Sequence, residues 1–184
     1  MAYDKDKTDK IIGQTKKWIA DVVVGCNFCP FASREIKNNS IHYKVENATE
    51  LSLCLQSFLQ ECLRLDADKT ISTSILIFPD AFQRFDDYLD LVSLAEKLLQ
   101  KSGYEGIYQV ASFHPSYRFA KTTADAPENY TNRSIYPMLH LLREEQIEKA
   151  LSRYPNPERI PADNINFARE KGAAYMRMLR EACL

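Results

Sequence analysis

Along the first part of the chain, Ile11, Ile12, Trp18, Ile19, Val22 and Val23 recur with a helical period and predict a helix over about 8–24. Gly25 stands where a left-handed cap would end it. Residues 1–7 carry charge but no apolar face and are expected to fray. Residues 26–31, broken by Pro30, read as a loop. Ile41-His-Tyr-Lys-Val45 alternates and predicts a strand, and Asn47-x-x-Glu50 forms a capping-box pattern before a second helix. Leu51, Leu55, Phe58, Cys62 and Leu65 make the stripe of that helix. The β-branched run 71–78 predicts a second strand ending at Pro79. Phe85, Tyr88, Leu89, Val92, Ala95 and Leu99 predict a third helix stopped near Gly103, and 106–113 a third strand. After a polar stretch over 114–133, too long for an idle connection, two helices are predicted. One runs from 134–137 to about Tyr154, the other from about Asp163.

Strands separated by full helices usually lie parallel, with right-handed crossovers. The order therefore predicts an α/β fold, with a small, mostly parallel three- to four-stranded sheet covered by about five helices. An α+β ferredoxin-like sheet is the alternative if one connection does not cross over. The absence of repeats and linkers makes residues 1–184 one expected domain. In parallel sheets ligands collect beyond the carboxyl ends of the strands. The third such end, at His114-Pro115, is the richest in chemistry.

Composition narrows the function by exclusion. Among 184 residues, Lys plus Arg is 24 and Asp plus Glu is 25, a net charge of −1. A chain so near neutrality lacks the positive field that nucleic acid or an acidic membrane requires, and neither is an expected partner. The five glycines form no G-x-G pair, which removes the usual glycine-rich phosphate loops. No apolar run approaches a membrane span, and the charged N-terminus has no signal-peptide core. Asn38, Asn47, Asn129 and Asn132 open sequons that read as chance matches. With five cysteines, an odd count, and Cys54, Cys62 and Cys183 on apolar stripes, a reduced cytoplasmic protein is expected.

Candidate chemistry gathers after the third strand. Asn27-Phe-Cys-Pro-Phe-Ala32, Gln109-Val-Ala-Ser-Phe-His-Pro115, Asn129-Tyr-Thr-Asn-Arg-Ser134 and Tyr136-Pro-x-Leu-His-Leu-Leu-Arg-Glu144 resemble a bacterial family, domain of unknown function 1415. The resemblance runs from about Trp18 to Ile165 and implies no particular reaction. Cys26 stands where the family pattern has an aliphatic residue, and Lys121 where it has glycine.

Read from the residues themselves, Asn132, Arg133 and Ser134 sit at a predicted helix start, where free N–H groups and the helix dipole favour an anion. Arg133 would add a forked donor. On the predicted helix, Tyr136, His140 and Arg143 fall on the core-facing stripe, with Glu144 at its edge. Such polar groups must find partners or line a cavity. His114 and His140 would then move protons, while Arg133, Asn132, Ser134 and Arg143, with Tyr117 and Asn129 nearby, would hold an anion. His114, Arg133, His140 and Arg143 are expected on one cavity. No cofactor is expected. A metal held by His140 and Glu144, four residues apart, with His114 or Cys29, is the alternative. Cys29 is also a candidate nucleophile, though its segment follows a helix C-terminus, which disfavours a thiolate. The sequence thus points to an enzyme or binding protein for a small phosphate- or carboxylate-bearing metabolite. The rival reading is an interaction module with a surface around Phe82, Phe85 and Tyr88.

Overall fold

A computed structural model describes residues 5–184. Helix α1 spans Lys5–Trp18. Residues 5–7, expected to fray, are helical and exposed, and 1–4 lie outside the described residues. The helix does not continue unchanged to Val24. Ile19–Val24 widens into a π-helical segment, and the Gly25 N–H reaches back five residues to the Ala20 carbonyl at 3.0 Å. Gly25 has φ −59°, so the expected left-handed cap is absent. Glycine is needed there for a different reason: a Cβ would collide with the Asp21 carbonyl oxygen. The following loop turns into a short helix that periodicity did not predict, α2 (Ala32–Lys37).

The middle of the chain follows its pattern closely. β1 (Ile41–Val45), α3 (Leu51–Ala67), β2 (Thr73–Ile77), α4 (Phe85–Lys101) and β3 (Tyr108–Phe113) fall within a few residues of their predicted positions. The capping box does not form. Glu50 itself is the N-cap of α3 and makes no side-chain cap, while the Glu46 carboxylate accepts the Ala48 N–H at 2.8 Å and the Ser57 hydroxyl.

The larger correction lies after the polar stretch. The helix predicted from 134–137 to Tyr154 is a strand, β4 (Met138–Arg143), followed by a shorter helix, α5 (Glu144–Leu151). The last helix, α6 (Ile160–Glu181), is interrupted at Gly172, where φ is +79°. Sheet order is β1-β2-β4-β3. β1 and β2 are parallel, whereas β4 runs antiparallel to both its neighbours, β2 and β3. The three predicted strands do share one direction, but β4 inserts between two of them. The sheet is therefore mixed, not mostly parallel. The order strand–helix–strand–helix–strand–strand also differs from a ferredoxin-like βαββαβ unit.

Period-two alternation divides the sheet residues between two cores. Leu76, Leu139 and Leu141 pack with Phe58, Leu65 and Leu91 of α3 and α4. On the other face, Ile75, Ile77 and Met138 pack with Trp18, Val22 and Met176 from α1, the π-helical segment and α6. β4 is central and nearly buried on both faces.

Candidate functional site

A cavity of about 300 Å³ opens on the α1 side of the sheet. Its floor is Ile75, Ala111 and His140, from three adjacent strands. Trp18, Ile19 and Val23 form one wall, from the end of α1 and the π-helical segment. Cys29, Phe31 and Ala32 close another, and Ile147 and Ala150 of α5 a third. Polar side chains gather at the edges, where Gln109 and Gln146 are exposed and Glu35 is half-buried. The π-helical widening therefore shapes a cavity wall, a common place for such irregularities.

His140 is the polar group of the floor. Its Nε2 lies 2.6 Å from the Thr73 hydroxyl, which itself lies 2.6 Å from the Leu141 carbonyl oxygen. A hydroxyl has one proton, and the carbonyl can only accept it. The hydroxyl must then accept from His140, which places the imidazole proton on Nε2 and leaves Nδ1 as an acceptor. Burial pushes the His140 pKa down from 6.5 to about 4, so the ring is neutral at pH 7. Phe113 tilts against it at 6.2 Å between ring centroids.

Of the residues singled out in the sequence, His140, Arg143 and Cys29 line this cavity. Arg143 borders the cavity at the end of β4, but its guanidinium lies on the opposite face of the sheet from His140, because 140 and 143 differ in strand parity. Its guanidinium donates to the carbonyls of Leu65, Asp68 and Ile71 and to the Tyr108 hydroxyl. Arg143 thereby caps the end of α3. Burial raises the Cys29 thiol pKa, against backbone hydrogen bonds from Phe31 and Ala32 that lower it, so the sulfur is a poor nucleophile at neutral pH. Glu144 opens α5 and is outside the lining. A strand-to-helix boundary separates it from His140, so the four-residue spacing does not set the two on one helical face. Among the described residues no group of three or more His, Cys, Asp or Glu is placed to hold a metal.

His114 and Arg133 do not reach the cavity, which corrects the expected convergence of four residues. His114 is fully buried in the opposite core, between the rings of Phe85 at 5.2 Å and Tyr88 at 4.9 Å. Its Nε2–H donates to the Phe82 carbonyl and its Nδ1 accepts the Ser116 N–H, both at 2.9 Å. Both nitrogens are occupied, and burial lowers its pKa. Of the three rings expected to form a surface, Tyr88 is buried as well, and Phe82 and Phe85 are half-buried, spending much of their area on this core.

No helix of the predicted kind starts at 132–134, so the expected dipole is missing. Arg133 donates to the carbonyls of Tyr117 at 3.0 Å and Ala124 at 2.7 Å, and lies 4.7 Å over the Tyr130 ring. Asn129 accepts from the Phe119 N–H and the Thr122 hydroxyl and donates to the Thr123 carbonyl. Asn132 donates to Ser112, and Ser134 to the Tyr136 carbonyl. These residues staple the 114–133 stretch to itself and to the sheet.

One polar cluster escaped the sequence. Glu61 is 2% exposed and lies among α3, β1 and β2. Its carboxylate accepts from His42 Nδ1 at 2.7 Å, Ser74 at 2.6 Å and Arg64 at 3.2 Å. Burial alone would raise its pKa, but these donors together hold it at about 2. The signal was present: Glu61 falls on the apolar stripe between Phe58 and Leu65, where a charge needs partners.

No curated protein and no solved structure matches the chain. A family model described as a protein of unknown function, DUF1415, matches residues 10–178. That span includes every strand, the whole cavity lining and the 114–133 stretch. The chain belongs to the DUF1415 family.

Proposed function

We propose that the cavity beneath the π-helical segment is a binding site for a small, mainly apolar molecule, with His140 as its polar anchor. The observation that carries this reading is an apolar cavity of about 300 Å³ with, on its floor, one imidazole nitrogen that has no partner among the described residues. Ligand sites are typically concave and apolar, with a few placed polar groups that set orientation. The anion expected from the sequence was assigned to Arg133, Asn132, Ser134 and Arg143, each of which donates to backbone carbonyl oxygens. The reading accordingly moves from a phosphate or carboxylate to an apolar ligand with one polar contact. A neutral imidazole of low pKa accepts a hydrogen bond at pH 7, which suits binding better than proton delivery. All five cysteines are free, which supports the reducing, cytoplasmic setting that belongs to the same proposal. No helix among the described residues is long and apolar enough to cross a membrane.

Filling the cavity tests the proposal. Ala111→Phe puts a ring on its floor, directly across the strand pair from His140, and fills the space without replacing the imidazole. Fragments found by thermal shift or NMR against the natural protein should lose binding to this variant while its amide spectrum stays folded. Equal binding to both proteins would place the ligand elsewhere and overturn the reading.

A further inference from the structure

We infer that the molecule this cavity takes is a fused two-ring aromatic carrying one N–H or O–H donor, which it gives to His140 Nδ1. The inference rests on the cavity being a ligand site and adds the chemistry of its occupant. Three observations carry it.

The first is size. An apolar cavity of roughly 150 Å³ admits benzene. One of about 300 Å³ has room for about two fused rings. The second is the walls. Trp18, Phe31 and Phe113 line the space, and Trp18 and Phe113 meet edge to face at 5.3 Å between centroids. These rings, with the sulfurs of Cys29 and Met138, are soft contacts suited to another aromatic ring.

The third is the direction of the hydrogen bond, which separates donors from acceptors. The Thr73 proton is committed to Leu141, so the His140 proton is committed to Thr73. Nδ1 has no protein partner among the described residues and is not a fully enclosed orphan atom. It offers a lone pair to the cavity. A ligand carbonyl or ether there would face that lone pair and leave both groups unsatisfied, whereas a ring N–H or phenolic O–H satisfies both. The depressed pKa keeps this polarity fixed across the neutral range.

Indole and benzothiophene provide the probes, because they share a shape and differ in the donor, N–H against sulfur. Each is titrated into the full chain by NMR, with the His140 ring nitrogens observed directly by long-range proton–nitrogen correlation. Indole should bind roughly 2- to 10-fold more tightly, the worth of one net hydrogen bond. The free protein should show Nε2 protonated and Nδ1 bare, and indole should shift the Nδ1 signal. His140→Leu should bind both probes equally. Thr73→Val, which removes the hydroxyl that fixes the tautomer but keeps His140, should narrow the preference without erasing it and release the free ring into a mixture of tautomers. Benzothiophene binding as tightly as indole, or a proton found on Nδ1 in the free protein, overturns the donor inference and leaves the cavity site standing. Failure of both probes to bind the natural protein at their solubility limits overturns both.

Discussion

The Arg143 guanidinium lies 5.7 Å from the centre of the Tyr108 ring, at the point where β4 ends beside the C-terminus of α3. It supplies donors to carbonyls that the helix leaves open, and a positive charge where the helix dipole is negative. The Asp66 carboxylate joins the cluster, accepting from Tyr104 and Tyr108 at 2.6 Å each. Arg143→Ala should cost about 2–3 kcal/mol of stability, since several bonds to a charged donor are lost. Arg143→Lys should recover less than half, because one ammonium cannot reach three carbonyls in different directions. Urea unfolding with unchanged slope checks both values. A loss below about 0.5 kcal/mol would show that water replaces the guanidinium at no cost.

Acid should weaken the protein in two windows with different owners. His140 is about 4 folded against an ordinary 6.5, so the folded state resists its protonation. Its contribution is complete above 6.5 and is lost as pH falls from 6.5 through 4, up to ~3 kcal/mol. Glu61 is about 2 folded against 4.5, and its contribution is present above 4.5 and lost as pH falls toward 2. Stability measured against pH should lose most of the upper limb in His140→Leu, with the smaller remainder belonging to buried His114, and the lower limb in Glu61→Gln. An upper limb of unchanged size in His140→Leu would overturn its assignment to His140.

Cysteine reactivity should report occupancy of the cavity. Burial raises the Cys29 thiol, and Cys29 lines the space. Alkylation at pH 7 should be slower than for a free thiol and accelerate as pH rises past 9. Any molecule seated against His140 should slow it further. Mass spectrometry of the Cys29 peptide gives the rate. Rapid labelling at pH 7, indifferent to added indole, would refute the placement.

How far the sequence could be read depends on where each partner sits. β1, β2 and β3 were legible because alternation or β-branched runs announce a strand locally. β4 was not. Met138-Leu-His-Leu-Leu-Arg143 has no β-branched residue, and a central strand buried on both faces loses its alternation, so leucine-rich text reads as helix. His140 was still visible as a polar residue on an apolar segment. What defines it, Thr73, lies 67 positions away and meets it only once β2 and β4 pair. Arg133 shows the converse: its sequence context suggested a site, but the carbonyls of Tyr117 and Ala124 come to it through the fold of the intervening stretch.

The widened turn over Ile19–Val24 has one further consequence. A π-helical turn holds a residue more than an α-helical turn needs, so here the backbone contains a surplus position. Removing one residue from this segment would let it tighten into α-helix while Ile11 and Trp18 keep their facing toward the sheet. The change would fall on Ile19 and Val23, the part of the cavity wall that the surplus displaces. Fold and binding would then come apart under a single deletion. The shape of this cavity can therefore change through chain length alone, with none of its floor residues replaced.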